Sequence, residues 1–128
     1  MNIRKASKKD YKEILKLDKE ASKEISWWET LKKSNLLKDL LYVIEKDKLI
    51  IGYLRASKKK NFIELEDLFL KKEYRNKGLS KKLSLFFIKD IKKSKYKKIK
   101  LICPERLRNF NEKIGFKVTS LNMIRNLK

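Results

Sequence analysis

The stretch Tyr74-Arg75-Asn76-Lys77-Gly78-Leu79-Ser80-Lys81-Lys82-Leu83 decides the architecture of this chain, because it carries a strand into a helix. Downstream of it, Leu79, Leu83, Phe86, Phe87 and Ile91 recur at the spacing of an amphipathic helix that runs to Lys93. A strand that enters a helix through a turn containing glycine leaves backbone N–H groups unpaired at the helix start. Those donors and the helix dipole attract an anion, and phosphate is the natural guest. Arg75, Lys77, Lys81 and Lys82 surround the turn, although a cation beside a helix N-terminus costs roughly 0.3–1 kcal/mol. A bound polyanion removes that conflict; a plain glycine turn with solvated lysines is the other reading of the motif taken alone.

Upstream, Phe62 to Leu70 alternates as the longest strand. Strict alternation puts Ile63, Leu65, Asp67 and Phe69 on one face and Glu64, Glu66, Leu68 and Leu70 on the other. Leu40 to Glu45 and Leu49 to Ala56 are runs of strand formers around an Asp47-Lys48 turn, which predicts an antiparallel hairpin, and Lys58 to Asn61 is a polar connection. Asn2 to Ala6 is a short first strand. Ser7 with Asp10 three residues on is a capping-box signal for a helix through Tyr11, Ile14, Leu15 and Ala21, ending near Lys23. Ser26 with Glu29 repeats the signal and predicts a second, shorter helix through Trp27, Trp28, Leu31 and Leu36. Beyond the long helix, Ile99 to Cys103 is a short buried strand and Pro104 starts a helix that ends at Gly115. Phe116 to Val118 and Leu121 to Leu127 close the chain as strands. The order is βααβββαβαββ, an α/β fold. No linker or repeat divides it, so residues 1–128 are expected to form one domain.

Forty of the 128 residues are Leu, Ile, Val or Phe, enough for a folded core. Charge is the outlier: 36 Lys and Arg stand against 16 Asp and Glu, a net +20, and 30 of the basic residues are Lys. Residues 65–128 hold 19 of the basic groups and only 6 of the acidic ones, so the second half seeks anions. Lysine-rich composition without Gln or His is also what biased composition or heat adaptation produces. With no His and a single Cys, counting excludes His-based metal sites, Ser-His-Asp triads, Cys-His pairs and internal disulfides, and no metal is expected. Acid–base work falls to carboxylates, Tyr, Lys or the thiol of Cys103, which is itself expected to be a buried structural Cys. Charges begin at Arg4 with no apolar h-region, and no uncharged stretch nears the ~18 residues of a membrane span. A cytoplasmic protein without a membrane partner is the expectation.

Three segments, in order and at the right spacing, resemble the GCN5-related N-acetyltransferase (GNAT) superfamily over nearly the whole chain. Arg75-Asn76-Lys77-Gly78-Leu79-Ser80 is similar to the family turn Arg/Gln-x-x-Gly-x-Gly/Ala, with Ser in the last small position. Glu64 to Tyr74 resembles the family's fourth strand and its lead-in, and Phe110-Asn111-Glu112-Lys113-Ile114-Gly115-Phe116 resembles the signature Phe-Tyr-Glu-Lys-Leu-Gly-Phe. The resemblance implies a mixed, mostly antiparallel central sheet with helices on both faces, and acetyl-coenzyme A as cosubstrate with coenzyme A as product. It implies that pyrophosphate binds the backbone N–H groups running from Asn76 through Lys77, Gly78, Leu79 and Ser80 to Lys81. The pantetheine arm would lie along Leu68, Phe69 and Leu70, pairing with the main chain of Leu68 and Leu70 where the fourth and fifth strands splay. Arg75, Lys77 and Lys81 would add charge-assisted contacts to phosphate.

The implied reaction is direct attack of a primary amine on the thioester, the amine being a protein N-terminus, a lysine or a small amine. The amine must lose a proton, and the carbonyl oxygen needs a donor as charge grows on it, such as a backbone N–H near Leu70. Glu64, six residues before Leu70, stands where family members that use a carboxylate base carry it, and Glu66 is the second candidate. The Tyr that usually acts as acid toward sulfur is replaced by Asn111, which donates a hydrogen bond but does not titrate usefully. The asparagine often found seven residues earlier is Pro104. Tyr42, Tyr53 or Tyr96 then takes the acid role, or the thiolate departs to water. Trp27 and Trp28 fall in the region that resembles the acceptor wall. Neighbours on a helix point about 100° apart, so one lines the pocket and the other packs inward.

Two further readings compete. From Lys89 to Lys100, 7 of 12 residues are Lys, which suits a basic nucleic-acid- or ribosome-binding module with no sequence preference. That stretch holds Tyr96 as its only aromatic and no Arg, which base readout and stacking favour. A coenzyme A-binding sensor that has lost catalysis follows from Asn111. The field of the chain favours an anionic cosubstrate and an acidic or ribosome-associated acceptor over free polyamines. A monomer or a homodimer is expected.

Overall fold

The computed structural model describes residues 1–102, 105–119 and 122–127. Cys103, Pro104 and the start of the predicted last strand lie outside these residues. The central strands β2 (Leu40–Lys46) and β3 (Leu49–Lys58) are apolar on both faces, so both faces must be covered. In β2, Tyr42 and Ile44 enter one hydrophobic layer while Leu41 and Val43 enter the other, all of them buried. The turn joining the two strands holds Asp47 at φ +50° and Lys48 at φ +66°, the left-handed pair of a two-residue type I′ hairpin.

One face is covered by α1 (Tyr11–Glu24), whose Ile14, Leu17 and Ala21 pack with Val43, Tyr53 and Phe69. The Ser7–Asp10 signal is realised ahead of it: the Ser7 N–H donates to Asp10 Oδ2 at 2.8 Å, and Arg4 grips the same carboxylate with two bonds of 2.7 and 3.0 Å. The other face is covered by α3 (Leu79–Lys92), whose Leu83, Phe87 and Ile91 pack with Tyr42, Ile44 and Leu54.

The second helix departs from the sequence expectation. Ser26 and Glu29 open no helix; the chain turns at Ser26–Trp27 and then runs without helix or strand to Lys32, and α2 is confined to Lys33–Lys38. Asp18 explains the difference. This carboxylate, buried on α1, accepts the Trp28 Nε1–H at 2.8 Å and the Leu31 N–H at 2.9 Å. In a helix the Leu31 N–H would belong to the carbonyl of Trp27, so a long-range acceptor has displaced the local one.

The sheet has seven strands in the order β1-β2-β3-β4-β5-β7-β6, adding β1 (Asn2–Lys5), β4 (Ile63–Leu70), β5 (Lys98–Ile102), β6 (Lys117–Thr119) and β7 (Asn122–Asn126). Every neighbouring pair is antiparallel except β4 and β5, which are parallel, with α3 as their crossover. The short α4 (Arg108–Lys113) ends before Gly115, whose φ of +103° favours glycine; a Cβ there would also stand 2.8 Å from Arg125 Nε.

Strict alternation along β4 is also overturned. Arg55 pairs with Asp67 but Ala56 pairs with Leu65, so Glu66 is the extra residue of a β-bulge. Its insertion shifts the phase. Ile63 and Leu65 share the α3 face with Leu68 and Leu70, while Phe69 packs in the α1 layer and the carboxylates of Glu66 and Asp67 reach Ser57 and Arg55 of β3. Among the described residues no helix is long and apolar enough to cross a membrane.

Asp18→Ala leaves the Trp28 and Leu31 donors without their acceptor, and is expected to lower unfolding free energy by roughly 2–4 kcal/mol in urea titrations. Asp18→Asn keeps an acceptor oxygen and should lose less.

Candidate active site

The site begins where β4 and β5 part. Their pairing extends over Ile63 with Ile99 and Glu64 with Lys100 and then stops, one residue short of the bulge segment that bends β4. The Lys71 N–H donates to Ile51 O at 2.9 Å, which sets the phase of the β3 ladder: Phe69 and Asp67 aim their main-chain groups at β3. Leu68 and Leu70 therefore aim theirs at the open side, toward the space that β5 has left. A cleft of about 960 Å³ fills that space, with β4 from Leu65 to Leu70 along one side and Leu101, Ile102, Leu107, Phe110 and Asn111 on the other.

The cleft runs down to the Gly78 turn. Asn76 (φ +62°) and Gly78 (φ +78°) bring the chain round in left-handed steps, and Gly78 is the N-cap of α3. The first helical bond is from the Lys82 N–H to Gly78 O at 3.2 Å, so the N–H groups of Leu79, Ser80 and Lys81 have no intrahelical acceptor. Space over Gly78 is open: a Cβ built there meets nothing within 4 Å. Ser80 and Lys81 line the cleft with Asn76 and Gly78, whereas Lys77 lies outside it with its ammonium 5.9 Å from the Tyr74 ring.

Arg75 is committed elsewhere. Its Nε donates to Leu70 O at 2.9 Å, its two terminal nitrogens bind the carboxylate of Glu24 at the end of α1, and its guanidinium lies 5.3 Å from the Phe69 ring. Its charge is thus directed at Glu24, and it fastens the turn to α1. Sequence spacing carries no sign of a partner 51 residues away.

Of the two candidate bases, Glu66 lines the cleft and Glu64 does not. They are hydrogen-bonded to each other. That bond, then burial, then the charge of Glu66 push the Glu64 carboxyl up from 4.5 to about 7. The Glu66 carboxyl is held below its ordinary value despite its burial, by hydrogen bonds from Glu64 and Ser57 and by the charges of Arg55 and Lys59. The pair therefore keeps one proton near neutrality. Beside it, Asp67 also lines the cleft; burial raises its carboxyl, and Arg55 Nε, 2.7 Å away, opposes the rise. Arg55 reaches Asp39 at 2.5 Å with a second nitrogen, joining β3, β4 and the end of α2. Asp67, Arg55 and Asp39 are not among the site residues that the sequence singles out. The acid run Glu64 to Asp67 marked the region, but the Arg55 contacts span 12 and 16 residues.

Trp27 and Trp28 both border the cleft, from a turn instead of a helix. Trp28 packs inward, edge-on to Phe69 at 5.9 Å, while Trp27 is 64% exposed. Asn111 is buried at the opposite wall. The expectation of a substitute tyrosine acid fails: none of the five tyrosines lines the cleft. Tyr42 is buried against α3 with its hydroxyl 2.5 Å from Asp90, and burial pushes that phenol well up. Tyr53 is buried beneath α1 and likewise pushed up, by burial and then by the charges of Asp67 and Asp18. Tyr96 lies at the other end of the sheet.

The fold that frames this slot has counterparts among solved structures. The PaiA N-acetyltransferase from Thermoplasma acidophilum, solved in complex with coenzyme A, superposes with a TM-score of 0.78 at 23% identity, covering 98% of both chains. A GNAT family acetyltransferase from Elizabethkingia anophelis with acetyl-CoA bound gives 0.75 at 17% identity, covering 98% of this chain and 97% of its own. The ribosomal-protein-S18-alanine N-acetyltransferase from Escherichia coli gives 0.81 at 11%, covering 99% and 94%. At such identities the likeness is one of fold. No curated protein matches the chain in sequence. The model of the acetyltransferase (GNAT) domain matches residues 6–127, nearly the whole length, and the chain belongs to the GNAT acetyltransferase family.

Proposed function

We propose that residues 1–128 form one domain that transfers the acetyl group of acetyl-coenzyme A to a primary amine by direct attack. The observation that carries this reading is the continuity of the cleft: strand groups facing the gap at Leu68 and Leu70 lead without interruption to the helix N-terminus at Gly78. Diphosphate suits the N–H groups from Asn76 to Lys81, with Lys81, which lines the cleft, supplying charge. The pantetheine amides suit the free edge of β4 as an added strand, since unpaired strand groups require partners. Leu70 O already accepts from Arg75, so the N–H of Leu70 and the groups of Leu68 are the ones on offer. A main-chain N–H at this edge also serves the thioester oxygen as it gains charge.

Glu66 is assigned as the base, directly or through one water, and Glu64 as the group that adjusts it. At the cleft's far wall Asn111 offers a hydrogen bond to the departing sulfur, whose thiolate leaves to solvent. Trp27 and Trp28 form the acceptor wall, with the carboxylates of Glu66 and Asp67 behind it drawing the ammonium form of the amine. Coenzyme A-bound neighbours of the same fold support the choice of cosubstrate. The acceptor classes left in play are a protein N-terminus, a lysine and a small amine, and the net +20 favours a carrier that is acidic or ribosome-associated.

Titration calorimetry with acetyl-coenzyme A, coenzyme A and ATP tests the first step. Wild type should bind both coenzymes. Gly78→Glu, which puts a carboxylate into the anion turn at a left-handed φ, should weaken them at least about tenfold. Indifference of the wild type to both overturns the proposal.

The base assignment has a pH signature. Loss of the shared proton near pH 7 adds a second negative charge beside Glu66 and strengthens it as a base, so kcat/KM should rise through that pH. Glu66→Gln is expected to lower kcat by about 10²-fold or more, and Glu64→Gln to remove the limb near pH 7. Full rate in both variants would sink the assignment. The same shift affects stability. The folded chain holds this proton to about pH 7, whereas an unperturbed carboxyl releases it near 4.5, so stability falls as pH rises across that window. Glu66→Gln should flatten the fall in thermal melts.

A further inference from the structure

A second concavity, of about 630 Å³, lies at the other end of β4 and β5. The loop before β4 contributes Lys60 and Phe62, and the segment leading into β5 contributes Lys95, Tyr96, Lys97, Lys98 and Lys100. Parallel pairing of Ile63 with Ile99 is what brings these two stretches side by side, although 36 residues separate them in sequence. Among the described residues no carboxylate lines the concavity. Among the described residues, the lysines that form ion pairs are Lys5, with Asp90, and Lys71, with Glu20, so all five lysines here are unpaired. Glu64, opposite Lys100 in the strand register, feels Lys59 and Lys100 but keeps its proton to about pH 7. Five like charges therefore crowd around two half-buried rings, with Lys100 Nζ 4.2 Å from the Phe62 centroid and Lys95 Nζ 5.5 Å from that of Tyr96.

We propose that this concavity is a binding site for single-stranded nucleic acid, separate from the acetyl-transfer cleft. Its parts are those of a sequence-tolerant strand binder: ammonium groups for successive phosphates and aromatic rings on which bases stack. Structure supplies the second ring, Phe62, that the lysine-rich segment lacks by itself. The recess favours a strand with splayed bases over a flat lipid surface, and the rings have no role toward an acidic peptide. Without arginine there is no bidentate readout of base edges, so affinity comes without sequence preference. From Phe62 to Leu70 along β4 is about 26 Å at 3.3 Å per residue, so a bound strand leaves the cleft open.

Fluorescence anisotropy on the full chain, with labelled twelve-nucleotide oligouridylate and oligothymidylate, tests the proposal. If three to five lysines meet phosphates, log affinity should fall against log salt with a slope of about −2 to −3.5. Lys95→Ala/Lys97→Ala/Lys98→Ala should weaken binding at least about tenfold and make that slope shallower by about 2. Tyr96→Leu keeps an apolar side chain against the core but removes the ring, and should weaken binding about fivefold or more. Acetyl transfer should be unchanged in both. Should Tyr96→Leu unfold by circular dichroism, the exposed lysine triple decides alone. Preference for either oligonucleotide, or none, supports the site and identifies which polymer it takes. A control triple on exposed α1 positions, Lys12→Ala/Lys16→Ala/Lys19→Ala, removes the same charge and should change little. Equal weakening by the control, displacement of the strand by coenzyme A, equal binding of polyglutamate or phosphatidylserine vesicles, or no binding at about 50 mM salt would each overturn the proposal.

Discussion

Among the described residues, the strand pairing that joins the two halves of the sheet is two register pairs, Ile63 with Ile99 and Glu64 with Lys100. A longer parallel pairing would close the cleft, and none would leave β5, β6 and β7 without an anchor on the rest of the sheet. What halts the pairing is local: with Glu66 inserted as an extra residue, β4 bends after its first turn of pairing, and the main chain beyond turns unsatisfied groups toward a gap. Unpaired strand edges are ordinarily a liability that proteins cover. Here the edge is enclosed by α4 and by the Trp27–Trp28 turn, which makes it a slot that other chains cannot reach easily.

The bulge also sorts the chemistry of β4. By shifting phase, it lets the strand present leucines to the α3 layer before and after the insertion, while Glu64, Glu66 and Asp67 gather on the other side near Arg55 and Ser57. Three carboxylates on one short segment repel each other, and the strand tolerates them through Arg55, which joins Asp67 and Asp39, and through a proton held between Glu64 and Glu66. In a chain of +20 this small negative region stands out, so the cleft is acidic at one end and lined by Lys81 and the N-terminus of α3 at the other.

Much of this was legible in the sequence, for identifiable reasons. Hydrophobic periods gave the element order, Asp47-Lys48 gave the hairpin and Gly78 gave the turn into α3, because each is a local signal read within a few residues. The failures were non-local. A bulge leaves no mark in the alternation of Glu64 to Leu70 until the register against β3 is seen. The cap signal at Ser26 was sound as a signal, but Asp18 in α1 outbid it for the Leu31 N–H. The Arg55 contacts, the absence of tyrosine from the cleft and the meeting of Phe62 with the lysines before β5 all depend on which strands become neighbours.

Arg75 joins three pieces of the chain: the carbonyl that ends β4, the last turn of α1 through Glu24, and the loop that approaches α3. Lysine, a single point of charge, has no geometry for three such directions, so the position is intolerant of that exchange. The two mouths of the cleft are in this way mechanically continuous. One planar group thus holds the turn ahead of α3 to the residues just before Trp27, and both stretches border the cleft.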